Sequence, residues 1–83
     1  MPENTISPAQ CRAARALLGL SREKLAARAE VGERTLVDFE RGARAAQKST
    51  LAAIRRALED AGVEFISENG GGAGVRLRKK RSS

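Results

Sequence analysis

The side chains with the most chemistry to offer lie between Glu33 and Arg41. Glu33, Arg34, Val37, Asp38 and Arg41 fall at helical spacings that turn them away from Leu36 and Phe39. The set combines carboxylates, guanidinium groups and one branched apolar side chain. A helix carrying such donors and acceptors on one side is what reading base edges in a DNA major groove requires.

Other chemistries find little support. The chain has no histidine, which removes imidazole acid–base catalysis and histidine metal ligation. Cys11 is the single cysteine, so neither an internal disulfide nor a cysteine-rich metal site can form. It falls on the apolar side of a predicted helix, where a buried, inert thiol is the simplest account. Glu59-Asp60 and the pair Glu64 and Glu68 are carboxylates in search of a role. Without histidine or an aromatic-lined pocket they read as helix-end and surface charges. The glycine-rich run Gly70–Gly74 lacks the Gly-Lys-Ser/Thr ending of a phosphate-binding loop and precedes a β-prone stretch, not a helix. No enzymatic activity, cofactor or metal is expected.

The elements that must position the reading side chains are two short helices, near Arg22–Ala29 and Glu33–Arg41, joined by a tight turn. Ser21 is suited to cap the first, and Glu23 places a negative charge in its first turn. Leu25, Ala26 and Ala29 share one face, and Ala26, Ala27 and Ala29 are small enough to let a second helix approach. Leu36 and Phe39 form the inner face of the second helix, with Val31 just before it. Gly42 follows as a left-handed residue closing that helix.

Leu25-Ala26, Val31, Thr35-Leu36 and Phe39-Glu40-Arg41-Gly42 together resemble the helix-turn-helix of the phage-repressor-like (XRE, Cro/cI-type) DNA-binding domains. The resemblance spans roughly Ser7 to Ala61. It departs from the family pattern in two places. Arg22 stands where the family usually has a glutamine that braces a phosphate. Glu30 stands where the turn usually has glycine, with Gly32 two residues later. A non-glycine residue at positive φ costs about 1 kcal/mol, so a strained or reshaped turn is expected.

The resemblance implies that early residues of the second helix meet base edges. Arg34 would then grip guanine through O6 and N7, Glu33 or Asp38 would accept from a cytosine amino group, and Val37 would touch a thymine methyl. A plainer account stands beside this one: Glu33 decorates the helix start and Asp38 pairs with Arg34 at i, i+4. Phosphate contacts are expected from Arg22 and Lys24, at a helix N-terminus that itself attracts anions, and from Thr35, Arg41 and Arg44. In the family the loop carrying Arg44 and Lys48 runs along the DNA backbone. Glu40 faces back into the domain by the same likeness, and Arg15 is its candidate partner.

Charge agrees with a polyanionic partner. The net formal charge is +6 over 83 residues. No apolar run approaches the ~20 residues that a membrane span needs. Met1-Pro2-Glu3-Asn4 lacks the basic and apolar regions of a signal peptide. A soluble, cytoplasmic, nucleoid-associated protein is expected, with no membrane partner.

The flanking segments supply the scaffold. Met1 to Ile6 reads as a mobile arm. Ser7, Pro8 and Gln10 form a capping box ahead of a helix reaching Leu18, with Cys11, Ala14, Leu17 and Leu18 as its apolar stripe and Arg12 and Arg15 facing out. Ser49 or Thr50 would cap a further helix whose stripe is Leu51, Ile54, Leu58 and Ala61, stopped by Gly62. Val63-Glu64-Phe65-Ile66 and Val75-Arg76-Leu77-Arg78 are β-prone, and Asn69-Gly70 between them is a turn dipeptide. An isolated two-stranded hairpin is marginal in water, so this one must rest on the helices or pair with a second copy. In the second case Phe65, Ile66, Val75 and Leu77 would form the dimer interface.

The expectation is a mainly α, lambda-repressor-like bundle of four to five helices with a C-terminal β-hairpin. Residues 1–62 form the helix-turn-helix DNA-binding domain, 63–78 the hairpin and possible dimerisation element, and 79–83 a basic tail. The expected function is that of a sequence-specific, double-stranded-DNA-binding transcriptional regulator. Repression by a homodimer on a palindromic operator is preferred, since no stretch resembles a ligand-sensing or activating domain. The alternative is an antitoxin or antiactivator whose hairpin docks a partner protein.

Overall fold

The computed structural model describes residues 5–68 and 70–79. Its order is α1 (Pro8–Leu18), α2 (Arg22–Ala29), α3 (Glu33–Glu40), α4 (Lys48–Ala61), β1 (Val63–Ile66) and β2 (Gly74–Leu77). The expected four-to-five-helix bundle with a hairpin is therefore a four-helix bundle with one. Asn69 of the expected turn, Met1 to Asn4 of the arm and residues 80–83 of the tail lie outside the described residues.

Local signals set most of the boundaries. The Ser7 Oγ accepts from the Gln10 N–H at 3.0 Å, and the Gln10 side-chain oxygen accepts from the Ser7 N–H at 2.8 Å, which completes the capping box. Gly19 ends α1 in the left-handed region at φ 64°. Ser21 caps α2 by accepting from the Lys24 N–H at 3.1 Å. Glu30 then takes φ 58° and ψ 43°, and the Glu30 and Val31 N–H groups close back on the Ala27 and Ala26 carbonyls. The turn keeps the left-handed geometry that glycine would adopt freely and holds it with a glutamate.

One boundary differs from expectation. α4 begins at Lys48 with Gln47 at its N-cap and no side-chain cap, while Ser49 and Thr50 lie inside the first turn. The Leu51 N–H already reaches the Gln47 carbonyl at 2.9 Å. A capping bond is worth only about 1 kcal/mol, less than the packing that fixes where this helix enters the bundle.

The core is aliphatic. Leu25, Leu36, Ile54, Leu58, Cys11 and Val63 are fully buried, with Phe39, Ala14, Ala26, Ala29 and Ala57 around them. Ile6 is buried too, so the end of the expected mobile arm is anchored. It precedes the cap residue while Cys11 sits four residues into the helix, the arrangement of a hydrophobic staple. The expected α1 stripe is corrected at Leu17, which is 44% exposed. Periodicity gives a side chain's direction but not how far its neighbours extend. At this end of α1 it is Leu18 that meets a neighbour, its Cδ2 lying against Gly62.

The hairpin packs on α1 and α4 and shares their core through Val63, Phe65 and Val75. Its antiparallel register pairs Val63 with Leu77, Glu64 with Arg76, Phe65 with Val75 and Ile66 with Gly74. The Gln10 amide, already part of the capping box, donates to the Gly74 carbonyl at 2.9 Å and to that of Ile66 at 3.4 Å. Arg78 ties down the α4 end, its guanidinium donating to the Glu59 carbonyl at 2.6 Å.

The strain at Glu30 is measurable. Glu30→Gly relieves a left-handed non-glycine residue on an exposed turn. It is expected to raise unfolding free energy by about 1 kcal/mol. A urea titration that found the variant less stable than the parent chain would contradict this account of the turn.

Candidate nucleic-acid interface

The candidate interface is built on α3, which has a sharply divided surface. Leu36, Phe39 and Glu40 are buried, whereas Glu33, Arg34, Thr35 and Arg41 are exposed and Val37 and Asp38 half-buried. Eight residues make a helix too short to stand alone. Its inner face must therefore be locked to α1 and α2, and two devices do this.

The first is apolar: Leu36 and Phe39 enter the core with Leu25 and Ala26 of α2. The second is the Glu40 carboxylate, 2% exposed. Arg15 grips it with both edges of its fork, Nε donating to Oε2 at 2.7 Å and Nη2 to Oε1 at 2.8 Å. The Cys11 thiol donates to Oε2 at 3.0 Å, and Arg22 Nε lies 3.5 Å from Oε1. Arg12 donates to the Glu40 main-chain carbonyl, and Arg15 Nη1 also reaches the Leu20 carbonyl at 3.2 Å. One carboxylate thus joins α1, the start of α2 and the end of α3.

The expected Glu40–Arg15 pairing is present. It corrects the placement of Arg15, which turns inward to Glu40 and does not face out. Arg12 bonds to α3 rather than standing free. Sequence reasoning missed the Arg22 contact, although the arginine-for-glutamine departure marked that position as unusual.

Burial pushes the Glu40 carboxyl upward, but the hydrogen bonds from Arg15 and Cys11 and the charges of Arg15 and Arg22 outweigh it. The net shift is below the ordinary glutamate range. The hydrogen bond to Glu40 raises Arg15 in turn. Burial first, then the bond to Glu40, pushes the Cys11 thiol upward, so it remains a protonated donor.

On the outer face Arg34 is 87% exposed, and its Nε lies 3.5 Å from the Asp38 carboxylate one turn on. This is the plainer pairing foreseen for Asp38. Arg34, Thr35 and Asp38 line a shallow cavity of about 130 Å³ together with Arg44, Ala45 and Ala46. The loop after α3 therefore lies beside the outer face of the helix and brings Arg44 next to Arg34. Arg22 and Lys24 are exposed at the start of α2. Arg41 is exposed at the far end of α3. Among the described residues no group of acidic, histidine or cysteine side chains has the arrangement of a metal site.

Fold and surface define a helix-turn-helix protein. A family model described as helix-turn-helix matches residues 12–59, more than half of the chain. The protein belongs to that family, of the XRE type, and is a double-stranded-DNA-binding transcription regulator. No curated protein matches it. Among the described residues no helix is long and apolar enough to cross a membrane.

Removing one side of the buried network leaves the other side uncompensated. Glu40→Ala is expected to cost about 3–5 kcal/mol of stability by leaving Arg15 without its partner. Because Glu40 titrates lower in the folded chain than in the unfolded one, its contribution is full above the ordinary glutamate range. It is lost as pH falls through the depressed folded value. Denaturant titrations from neutral to acid pH should show this acid limb in the parent chain and a shallower one in Glu40→Gln. Equal acid slopes would contradict the role given to the carboxylate.

Proposed function

We propose that the protein is a repressor that binds a palindromic operator as a homodimer, one α3 per half-site, in successive major grooves ~34 Å apart. The observation that carries this reading is the division of α3: one side is anchored by Leu36, Phe39 and Glu40, and the other offers hydrogen-bonding groups outward. Arg34 reads guanine through its free guanidinium edge. Asp38 steadies Arg34 from one turn away and, with Glu33, offers a carboxylate to a cytosine amino group. Val37 meets a thymine methyl.

Arg22 and Lys24 hold phosphate on one side of the helix, and Thr35, Arg41 and Arg44 hold it on the other. The shared cavity of Arg34, Thr35 and Arg44 supports treating the loop and α3 as one contact surface. Residues 1–62 serve as the DNA-binding unit and 63–78 as the self-association element, with Phe65, Ile66, Val75 and Leu77 its apolar content. The basic 79–83 segment adds nonspecific attraction to DNA. Repression follows from occupying the operator and excluding polymerase, in the cytoplasm at the nucleoid.

Selection of binding sites from a random duplex pool tests the whole reading, and an enriched sequence without two-fold symmetry would overturn the homodimeric arrangement. Arg34→Ala should relax preference at one base position per half-site by about 1–3 kcal/mol. Unchanged discrimination there would remove Arg34 from the reading set. Arg44→Ala should instead weaken binding to all sequences alike and lower the slope of log affinity against log salt by about 1 for each phosphate it no longer neutralises.

A further inference from the structure

Three guanidinium groups converge on one residue. Arg15 holds both oxygens of the Glu40 carboxylate, and the Cys11 thiol donates to one of them. Arg22 Nε lies 3.5 Å from the same carboxylate, and Arg12 donates through Nη1 to the Glu40 main-chain carbonyl. Three positive charges thus meet one negative charge, which leaves the cluster a surplus of two.

Burying Glu40 does not require that surplus. The fork of Arg15 and the thiol already satisfy the carboxylate. Arg15 is 18% exposed, whereas Arg22 is 45% exposed. Arg12 is exposed as well. An ion pair as long and as open as that of Arg22 contributes little to stability. Among the described residues Glu40 is the only carboxylate within ion-pair distance of Arg22, and none lies within that distance of Arg12. The charge of both arginines is therefore available at the surface.

Glu40 also limits how the two side chains are presented. Arg22 turns its Nε edge to the carboxylate, and Arg12 spends one amino group on the carbonyl. A guanidinium is a planar group with five N–H donors, so most of the fork stays free in each. The carbonyl that Arg12 holds belongs to the peptide joining Glu40 to Arg41, which is exposed at the end of α3. A cation there also suits the negative end of the helix dipole, but one donor is enough for that task.

We propose that Arg12 is a further contact to the DNA backbone, forming with Arg22 a two-pronged phosphate clamp across the seam of α1, α2 and the end of α3. The proposal rests on the phosphate role given to Arg22 above and extends it to α1. Glu40 acts as the positioning residue: its carboxylate sets Arg22 and its carbonyl sets Arg12. Arginines already held in place lose less freedom when they meet a phosphate. The clamp and the outer face of α3 are then referenced to the same residue, so the backbone grip fixes how the helix enters the groove.

The test is the salt dependence of binding to a labelled duplex of arbitrary sequence, read by fluorescence anisotropy, because phosphate contacts carry no sequence information. Arg12→Gln is expected to weaken binding about tenfold. It is also expected to lower the slope of log affinity against log salt by about 1. Arg12→Lys keeps the charge and should keep the parent slope, and Arg22→Gln should lower the slope as Arg12→Gln does. Both Arg12 variants lose the fork, so comparing their slopes cancels an effect on folding that they share. Equal slopes in the two, or a parent slope in Arg12→Gln, would overturn the clamp and leave Arg12 as a tie on the end of α3. If Arg22→Gln alone lowers the slope, the phosphate role of Arg22 stands without the clamp. If neither glutamine variant lowers it, both fall together.

Discussion

A buried carboxylate governs the arrangement of this small protein. Glu40 sits at the end of α3, shielded from solvent, and gathers Arg15, Cys11 and Arg22 around its two oxygens. A charge in that position is costly unless it is paired and its lone pairs are satisfied. Here it is gripped by a fork and by a thiol, while Arg12 bonds the same residue's carbonyl. The geometry can be met only when α1, α2 and α3 stand in one relation to each other. What the carboxylate contributes is therefore definition of where the outer face of α3 points, as much as stability.

That definition matters because the apolar core is small and soft. The chain has two phenylalanines and no tryptophan or tyrosine, so the interior is built from Leu, Ile, Val and Ala. Alanines at the α2 contact let helices approach closely but give little purchase against sliding. Polar anchors compensate at both ends of the bundle. Glu40 fixes α3 at one end. At the other Gln10 commits its side-chain oxygen to the cap of α1 and its nitrogen to the hairpin carbonyls. The two residues divide the molecule into an α3 side and a hairpin side that meet on α1.

Much of this was legible in the residues. The capping box at Ser7 and Gln10, the left-handed glycine at 42, the strained turn at Glu30 and the pairing of Glu40 with Arg15 all follow from local chemistry or from the family likeness. Illegible were the features that depend on how far one element extends past another. Leu17 has the spacing of a core residue and is exposed. Ile6 precedes the first cap and is buried. Ser49 and Thr50 have the chemistry of caps and lie inside the helix. Arg22 pairs with a residue eighteen positions away, which no periodicity could have indicated.

By itself the sequence determined where α1 and α2 start, where α1 and α4 stop, the sided character of α3 and the basic charge that suits DNA. These depend on side-chain hydrogen bonds, backbone preferences and spacing within a turn or two, all of which act locally. Only the tertiary structure decided that Arg22 joins Arg15 at the Glu40 carboxylate and that Arg12 bonds the Glu40 carbonyl. Those outcomes depend on where separate elements stop against one another, and distance along the chain does not encode distance across it.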